Sequence, residues 1–433
     1  MTGRRRTRTT SPTPPRPRKA KLLYASALVA CASVAVGCGA IPGATGGSGD
    51  GPVKVMTWAP EKTNATNKPG MPALAKAYAR WVNAHGGING RRLEVLTCND
   101  HNDSVAAAHC AERAAEEEVV AVVGSYSQHS RAFLAPLESA GIPYIGGFGV
   151  TDDEFTSPIS YPVNGGQGVL LAGLGEQLGK SCGPVSLIRP DTIAGDELPV
   201  LLDSGLKALG HPEAADQKAA EDATEYSLPT RLALEHATSD PTRQGCVVPA
   251  LGDRTNTFMD SFRRDAEDYR KVHTGTVIGN IDQSLIDATG GKSGPYEGSY
   301  VTGWYPTADD ARWNPMRAVI KEQAFGDNRI DPSDAGVQTT WIAYTVLKKV
   351  IEALGAGEVS PLTLRRELDN GLKVNTGGVT PTLDWRFDAE TTVAAFPRLV
   401  NADVTFQVIR GGQLTSQRRD FVDMAKTLAT AEQ

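Results

Sequence analysis

The sequence predicts an α/β protein with two domains in which parallel strands alternate with helices. Its 433 residues suffice for two domains, and 40% apolar with 22% charged residues is an ordinary globular composition. The clearest local pattern is an apolar β-branched run at 119–123, a polar turn, a helix beginning near 129–131, and a second apolar run at 142–147. Short runs of this kind are typical of strands buried on both faces of a parallel sheet, and a right-handed β-α-β crossover connects such strands.

The first residues have the composition of an export signal. Residues 1–21 carry six Arg, two Lys and no acidic residue, and residues 22–36 form an uncharged run that is too short to span a bilayer comfortably. The run ends in Ala35-Val36-Gly37-Cys38, which resembles the lipobox of bacterial lipoproteins, with Ala35 where Leu is more common. The resemblance implies cleavage before Cys38, diacylation of its sulfur and anchoring to the outer face of the cell membrane. An ordinary signal peptide cut nearby and an uncleaved anchor are the alternatives.

Removal of the leader makes the chain strongly acidic. The leader holds eight of the 44 basic residues, so 36 remain against 50 acidic residues, a net charge near −14. A nucleic-acid-binding protein would carry the opposite balance, so we expect no nucleic-acid partner. The Arg run, which in isolation would also suit a nucleic-acid-binding arm, belongs to the leader. Residues 39–52 are rich in Gly, Ser and Pro and predict a flexible tether.

Four cysteines follow the tether. An even number in an exported protein predicts disulfides, and four cysteines allow three pairings. Cys98 ends a predicted strand and Cys110 lies in the helix that follows, whereas Cys182 and Cys246 each precede a buried strand. If those two strands are neighbours in the sheet, the sulfurs meet, so we expect the pairs Cys98–Cys110 and Cys182–Cys246.

A metal site is the alternative for the first pair. Cys98, His101, His109 and Cys110 cluster in sequence, but their spacing matches no established zinc pattern. We therefore expect no metal site and no cofactor.

The other apolar patterns continue the alternation of strands and helices. Predicted strands lie at 53–58, 92–97, 185–190 and 246–251, and predicted helices at 72–85, 103–118, 196–210, 256–269 and 334–354.

Three motifs carry a family resemblance. The runs VNAHGGINGRRLEVLTCNDHND, AVVGSYSQHS and AGIPYIG resemble the N-terminal lobe of type I periplasmic binding proteins, in particular the branched-chain amino-acid and amide receptors of ABC transporters. GSYVTGWY at 298–305 resembles the family's crossover segment, and GGVTPTLDWRF at 377–387 its last return segment. The resemblance extends over residues 53–410.

The resemblance implies two Rossmann-like lobes, each a parallel sheet flanked by helices, joined by three crossover segments near Asn164, Trp304 and Gly377. The implied boundaries are a lipoprotein signal peptide at 1–37, a tether at 38–52, a first lobe at 53–164 and 306–376, a second lobe at 165–303 and 379–410, and a polar tail with one helix at 411–433.

The resemblance also implies a ligand site in the first lobe. In the family, hydroxyl and backbone N–H groups from loops after the strands hold the ligand, and these loops contain Ser127, Gln128, Gly149 and Thr151. Trp58, at the end of the first strand, is a candidate lid or stacking surface. The alternatives are turn chemistry and helix capping for the polar residues, and core packing for Trp58.

The second lobe departs from the family pattern. Amino-acid receptors often carry a Tyr after the strand at 185–190 and an acidic partner for the ligand's ammonium group, but the loop here begins at Asp191 and has no Tyr. The candidates are Asp191, Asp253, Arg254 and Asn280. Their alternative is a solvated loop, and the absence of the Tyr weakens the expectation of an α-amino-acid ligand.

Enzyme motifs are not supported. GGKS at 290–293 lacks the first Gly and the preceding strand of a phosphate loop, GSYSQ is not a nucleophile elbow, and HExxH is absent. We therefore expect no enzyme. The family resemblance implies a lipid-anchored solute-binding protein, which we expect to be a monomer, that delivers a small polar ligand such as an amino acid or amide to an ABC transporter permease. The alternative is a sensor of the same fold that reports to a signalling partner.

Overall fold

The structure is a computed structural model that describes residues 51–63, 66–192, 194–220, 223–266, 272–386, 393 and 395–431. The predicted leader and the lipidation site Cys38 lie outside these residues. In the described ranges, no helix combines the length and the apolar character needed to cross a membrane.

The described elements alternate along the chain as the sequence predicts. The strands are β1 Val53–Trp58, β2 Leu93–Cys98, β3 Ala121–Val123, β4 Tyr144–Ile145, β5 Ser160–Tyr161, β6 Val185–Pro190, β7 Ala215–Ala219, β8 Gly245–Pro249, β9 Val272–Val277, β10 Tyr300–Gly303, β11 Asp403–Arg410, β12 Gln413–Ser416 and β13 Val422–Asp423. The helices are α1 Gly70–Ala84, α2 Ser104–Glu116, α3 Ser130–Ala140, α4 Gly166–Ser181, α5 Glu197–Lys207, α6 Ser227–Ala237, α7 Thr255–Asp265, α8 Gln283–Ala288, α9 Asn314–Gln323, α10 Ala335–Leu354, α11 Pro361–Asp369 and α12 Ala425–Ala431.

The first lobe is built on a parallel sheet with the order β2-β1-β3-β4-β5. Alternate residues of β1 point to opposite faces, so Val53 and Val55 join the core under α1 and α10, whereas Met56 and Trp58 join the core under α2 and α3. Burial on both faces explains why β1 reads as a continuous apolar run.

The second lobe is built on a larger mixed sheet with the order β12-β11-β10-β9-β8-β6-β7, in which β13 also pairs with β11. The strands β6 to β10 are parallel, and β11 runs antiparallel to β10, β12 and β13. Helices α4, α5 and α12 pack together on this lobe, and α6 and α7 form a second packed pair. The two lobes therefore confirm the predicted α/β fold class.

Both predicted disulfides are present. Cys98 at the end of β2 is bonded to Cys110 in α2, and Cys182 is bonded to Cys246, with Cα–Cα distances of 5.8 Å in each pair. The second bond forms because β6 and β8 are neighbours and pair from Val185 and Cys246 onwards. Since Cys98 and Cys110 are bonded to each other, their thiolates are not available to hold zinc.

The C-terminal residues are more structured than a polar tail with one helix. The predicted helix is present as α12, but the strands β12 and β13 also pair with β11. Met424 and Leu428 are buried in the core of the second lobe. The tail therefore forms part of the second lobe.

Candidate ligand-binding cleft

Loops that follow the strands of both sheets meet between the lobes. Phe148, after β4, lies so close to Gly279, after β9, that a Cβ on Gly279 would be 3.5 Å from Phe148 Cζ. On the same boundary, the hydroxyl of Ser284 in α8 donates a hydrogen bond to Asp331 in the loop before α10. The lobes are therefore in contact across a cleft.

Ser127 and Gln128 lie in the loop between β3 and α3. The Ser127 side chain is buried, and its Oγ accepts the His129 N–H at 3.2 Å. Gln128 is exposed, and its Nε2 donates to the Tyr126 hydroxyl at 3.2 Å. Ser127 thus shapes the turn in which it lies, whereas Gln128 presents an amide to the cleft.

The Glu154 side chain fixes the loop that contains Gly149 and Thr151 through hydrogen bonds to its backbone. The Glu154 carboxylate accepts the N–H groups of Gly149 at 3.2 Å, Val150 at 2.9 Å and Thr151 at 3.4 Å. These N–H groups, which the family resemblance assigns to the ligand, are therefore satisfied within the loop. Burial raises the pKa of the Glu154 carboxyl to about 7, although the three N–H groups and the Tyr144 hydroxyl oppose this shift.

The side chain of Thr151 is also engaged but retains acceptor capacity. Its hydroxyl donates to Ser130 Oγ at 2.5 Å, and Ser130 in turn donates to Asp153 at 2.8 Å. A hydroxyl oxygen has two lone pairs, so Thr151 can still accept a hydrogen bond from a ligand.

A cavity of about 640 Å³ brings two of the predicted residues together. Gln128 and Thr151 line its first-lobe side, and Gln167 of α4 and Glu197 of α5 line the side of the second lobe. Three carboxylates border the cavity, those of Asp152, Asp153 and Glu197, together with the guanidinium of Arg131, which pairs with Asp153. Burial, followed by the charges of Glu197 and Asp153, raises the pKa of Asp152.

The structure contradicts the prediction that Trp58 is a lid or stacking surface for the ligand. Its side chain has no exposed surface, packs edge-on against Phe133 with ring centroids 5.3 Å apart, and stacks on Tyr144 at 6.1 Å. The alternating directions of β1 send Trp58 to the face covered by α2 and α3. Trp58 is thus a core residue that presents no surface to a ligand, and core packing was the alternative role expected for it.

The second-lobe candidates do not converge with these groups. Asp191 is exposed and pairs with Lys218 Nζ on β7 at 3.1 Å, and exposed Arg254 donates to the Ala223 carbonyl oxygen at 3.0 Å. Asn280 is half-buried in the turn after β9, where its N–H donates to the Val277 carbonyl oxygen. The side chain of Asp253 lies outside the described part of the structure.

Lys68 lies beside Phe148 at the boundary between the lobes and is not among the residues predicted from the sequence. Its Nζ lies 2.8 Å from Asp334 Oδ2 and 5.5 Å from the centre of the Phe148 ring, and the residue is only 9% exposed. Burial alone would lower the pKa of the Lys68 ammonium. The negative charge of Asp334, with a smaller contribution from Asp282 of the second lobe, outweighs burial, so the pKa is raised. Lys68 therefore stays charged between carboxylates of both lobes.

Three aromatic rings pack together beside this ion pair. Phe148 packs edge-on against Tyr126 and against Trp304, with ring centroids 5.1 Å apart in both pairs. All three rings are buried. The boundary between the lobes thus combines an apolar wall with a compensated buried charge, an environment that strengthens polar interactions.

Comparison with known proteins agrees with this geometry. Residues 63–400 match the family model described as periplasmic binding protein. The chain belongs to this family. Its two lobes, each with a parallel core sheet, are those of a type I periplasmic binding protein.

Solved structures share the fold of this periplasmic binding protein at low sequence identity. An extracellular ligand-binding receptor from Verminephrobacter eiseniae has a TM-score of 0.65 at 14% identity, with 84% of this chain and 99% of that chain covered. A solute-binding protein from Rhodopseudomonas palustris, solved with 3,4-dihydroxybenzoic acid, has a TM-score of 0.65 at 14% identity over 86% and 98%. The leucine-binding protein LivK from Thermotoga maritima has a TM-score of 0.64 at 15% identity over 86% and 99%. No curated protein matches this periplasmic binding protein significantly in sequence.

Proposed function

We propose that this protein is an extracytoplasmic receptor that binds a small polar solute between its lobes and delivers it to an ABC transporter permease. The observation that carries the proposal is the meeting of strand-end loops from both sheets at Phe148 and Gly279. Open α/β sheets bind ligands at this edge. A ligand that touches both lobes stabilises their closed arrangement, and the closed form is the one that docks on the permease.

The ligand we propose carries a carboxylate or amide. Leucine and 3,4-dihydroxybenzoic acid, named for two structural neighbours, share a carboxylate. In this chain the Gln128 amide and the hydroxyl oxygen of Thr151 line the cavity between the lobes, and the exposed Arg131, which also lines it, is positively charged. An acidic residue such as Glu197 would face a ligand's ammonium or hydroxyl group. Selectivity then arises from the cost of leaving these polar groups unpaired with a wrong ligand.

The membrane anchor is a further part of the proposal. Cleavage before Cys38 and diacylation of its sulfur would hold the protein at the outer face of the membrane, beside the permease. Replacing Cys38 by Ser would release the protein from the membrane fraction into the medium. Retention of the Cys38→Ser protein in the membrane would argue for an uncleaved anchor instead.

A thermal-shift screen tests the receptor proposal. A soluble form that starts at residue 39, after the lipidation site, is scanned against amino acids, amides, short peptides, sugars, nucleosides and aromatic acids. A ligand at about 100 times its dissociation constant adds roughly 2.7 kcal/mol to the free energy of unfolding. The shift should be lost in Thr151→Ala and Gln128→Ala and retained in Lys426→Ala, an exposed change on α12. A folded protein that responds to no compound would contradict the proposed ligand class.

Deletion of the gene separates transport from sensing. Uptake of the labelled ligand should fall in the deletion strain and return with the wild-type protein but not with Thr151→Ala. Normal uptake together with a lost transcriptional response would favour the sensor. Turnover of any ligand by the purified protein would contradict both.

A further inference from the structure

A second cavity, of about 610 Å³, lies apart from the cleft residues Gln128 and Thr151. Its walls come from α8, from the chain after β10, from the loop before α10, and from the hairpin of β11 and β12. None of the nine ligand residues predicted from the sequence lines it. The cavity is therefore a candidate site in its own right, and a ligand can occupy it whether or not the protein transports a solute.

Gln407 places an unsatisfied hydrogen-bond acceptor in this wall. The residue is 2% exposed, and its Nε2 donates to the Tyr305 carbonyl oxygen at 2.9 Å and to Thr405 Oγ1 at 2.8 Å. A carbonyl oxygen only accepts, so the contact with Tyr305 fixes which end of the amide is nitrogen. The remaining atom, Oε1, is buried and has no partner among the described residues. A buried acceptor without a partner carries an energetic cost that a donor from a ligand would remove.

The charge of the cavity is of one sign. Asp287, Asp309 and Asp331 line it, and the described lining residues include no Lys, Arg or His. Asp287 accepts from Gln283, and Asp331 accepts from Ser284 and Ser333, so these two carboxylates are already oriented. Each carboxylate has about four acceptor positions, so capacity for further donors remains.

We propose that this cavity binds a small organic cation with N–H donors, such as an alkyl diamine or a guanidinium compound. The ammonium or guanidinium group pairs with the aspartates, and one N–H reaches Gln407 Oε1. A metal ion fits less well, because the described residues contain no group of three His, Cys, Asp or Glu placed to hold one.

The cavity connects the lobes. Gln283 and Ser284 belong to the second lobe, whereas Asp331 and Gln338 belong to the first, and all four line the cavity. A cation bound here contacts both lobes at once. It therefore stabilises the closed arrangement in the same way as a ligand in the cleft, and acts as an effector of closure.

Calorimetric titration of the full chain in detergent tests the site. The probes are 1,4-diaminobutane, 1,4-butanediol and succinate, which share a four-carbon chain and differ in charge. We expect heat of binding from the diamine alone, with an affinity that falls as salt is added. Asp331→Asn and Asp287→Asn should each weaken binding by about tenfold, since each removes one charge-assisted partner.

Asp152→Asn is the matched control, because Asp152 lines the other cavity. Diamine binding that is unchanged in this variant but weakened by the Asp331 and Asp287 changes would support the site. Three results would overturn the proposal: no heat at millimolar diamine, equal binding of the diol, or equal loss of affinity in Asp152→Asn. Binding of succinate would show that the cavity selects anions and would also overturn it.

Discussion

Tyr305 and Asn164 connect two of the crossover segments between the lobes by a hydrogen bond. The Tyr305 hydroxyl, just after β10, accepts a hydrogen bond from Asn164 Nδ2, just before α4, at 3.1 Å. It also lies 3.0 Å from Thr339 Oγ1 in α10, and Asn164 donates to the Phe148 carbonyl oxygen at 3.3 Å. All four residues are buried. The Tyr305 hydroxyl thus connects two crossover segments, and Asn164 links them to Phe148 at the boundary between the lobes.

We expect Tyr305→Phe to weaken this connection without unfolding the protein. The change removes one buried hydroxyl with two partners, which should lower the free energy of unfolding by about 1 to 2 kcal/mol. It should also loosen the closed arrangement and increase the radius measured by small-angle scattering. Tyr300→Phe, at a half-buried position on β10, is the control. An unchanged stability in Tyr305→Phe would show that the hydroxyl contributes nothing net.

Glu154 should make stability fall as pH rises through neutrality. Its folded-state pKa of about 7 lies above its usual value near 4.5, so the folded protein holds a proton that the unfolded chain has released. The contribution to stability is complete below pH 4.5 and is lost as the pH rises through about 7. For a difference of this size the change is on the order of 3 kcal/mol.

Thermal unfolding across pH 4 to 8.5 measures this effect. Glu154→Gln cannot titrate, so its melting temperature should fall less with pH than that of the wild type. Asp403, whose pKa burial raises to about 6, contributes in the same direction in both proteins and cancels in the comparison. Glu322→Gln, at an exposed position on α9, should follow the wild type. Parallel curves for the wild type and Glu154→Gln would refute the assignment.

The ion pair of Lys68 and Asp334 should be strongly coupled. Their side chains are 10% and 18% exposed, so Lys68→Met leaves a largely buried carboxylate without its partner and should cost about 2 to 4 kcal/mol. Asp334→Asn keeps an acceptor for the Val337 N–H at the start of α10. The double variant should therefore lose less free energy of unfolding than the two single variants lose together. A double-mutant cycle based on denaturant unfolding measures this difference.

An exposed pair gives the comparison. Arg329 lies 2.7 Å from Asp327 with 45% of its side chain exposed, so Arg329→Met should cost less than about 1 kcal/mol. Equal costs for Lys68→Met and Arg329→Met would mean that burial of the first pair has no energetic weight.

The two disulfides should differ in their stabilising effect. Cys182–Cys246 closes a loop with a sequence separation of 64, and Cys98–Cys110 one of 12. Replacing both cysteines of a pair by Ala removes this constraint on the unfolded chain. Loop entropy then predicts that the free energy of unfolding falls by about 4 kcal/mol for Cys182–Cys246 and by about 3 kcal/mol for Cys98–Cys110. Denaturant unfolding of the two double-Ala variants measures the order. A larger loss for the pair 98 and 110 would show that local strain or packing, not loop length, decides it.

The sequence predicts the buried strands well because their composition is unambiguous. Strands β1 and β6 have the bounds expected from their apolar runs, since both are buried on two faces. The run at 142–147 yields only Tyr144–Ile145, because Gly146 adopts a left-handed φ of 63° that ends the strand. The strand β12 was missed although Gly411-Gly412 between two short runs is a hairpin signal.

The candidate site was harder to predict because its contacts join distant residues. Lys68 and Asp334 are 266 positions apart, and no local pattern indicates that they meet. Glu154 could have been found, because Thr151 followed three positions later by Glu154 is the signature of a capping box. The roles of Ser127, Gln128, Thr151 and Asn280 in ligand binding remain predictions.

The first described strand and the last described helix lie in different lobes. Strand β1 of the first sheet begins at Val53, and α12 packs against α4 and α5 of the second lobe, where Leu428 is buried. A fluorophore near residue 51 and another near residue 431 would therefore be attached to different lobes. Energy transfer between them would follow opening and closing directly, so these two positions are suitable attachment points for a solute biosensor.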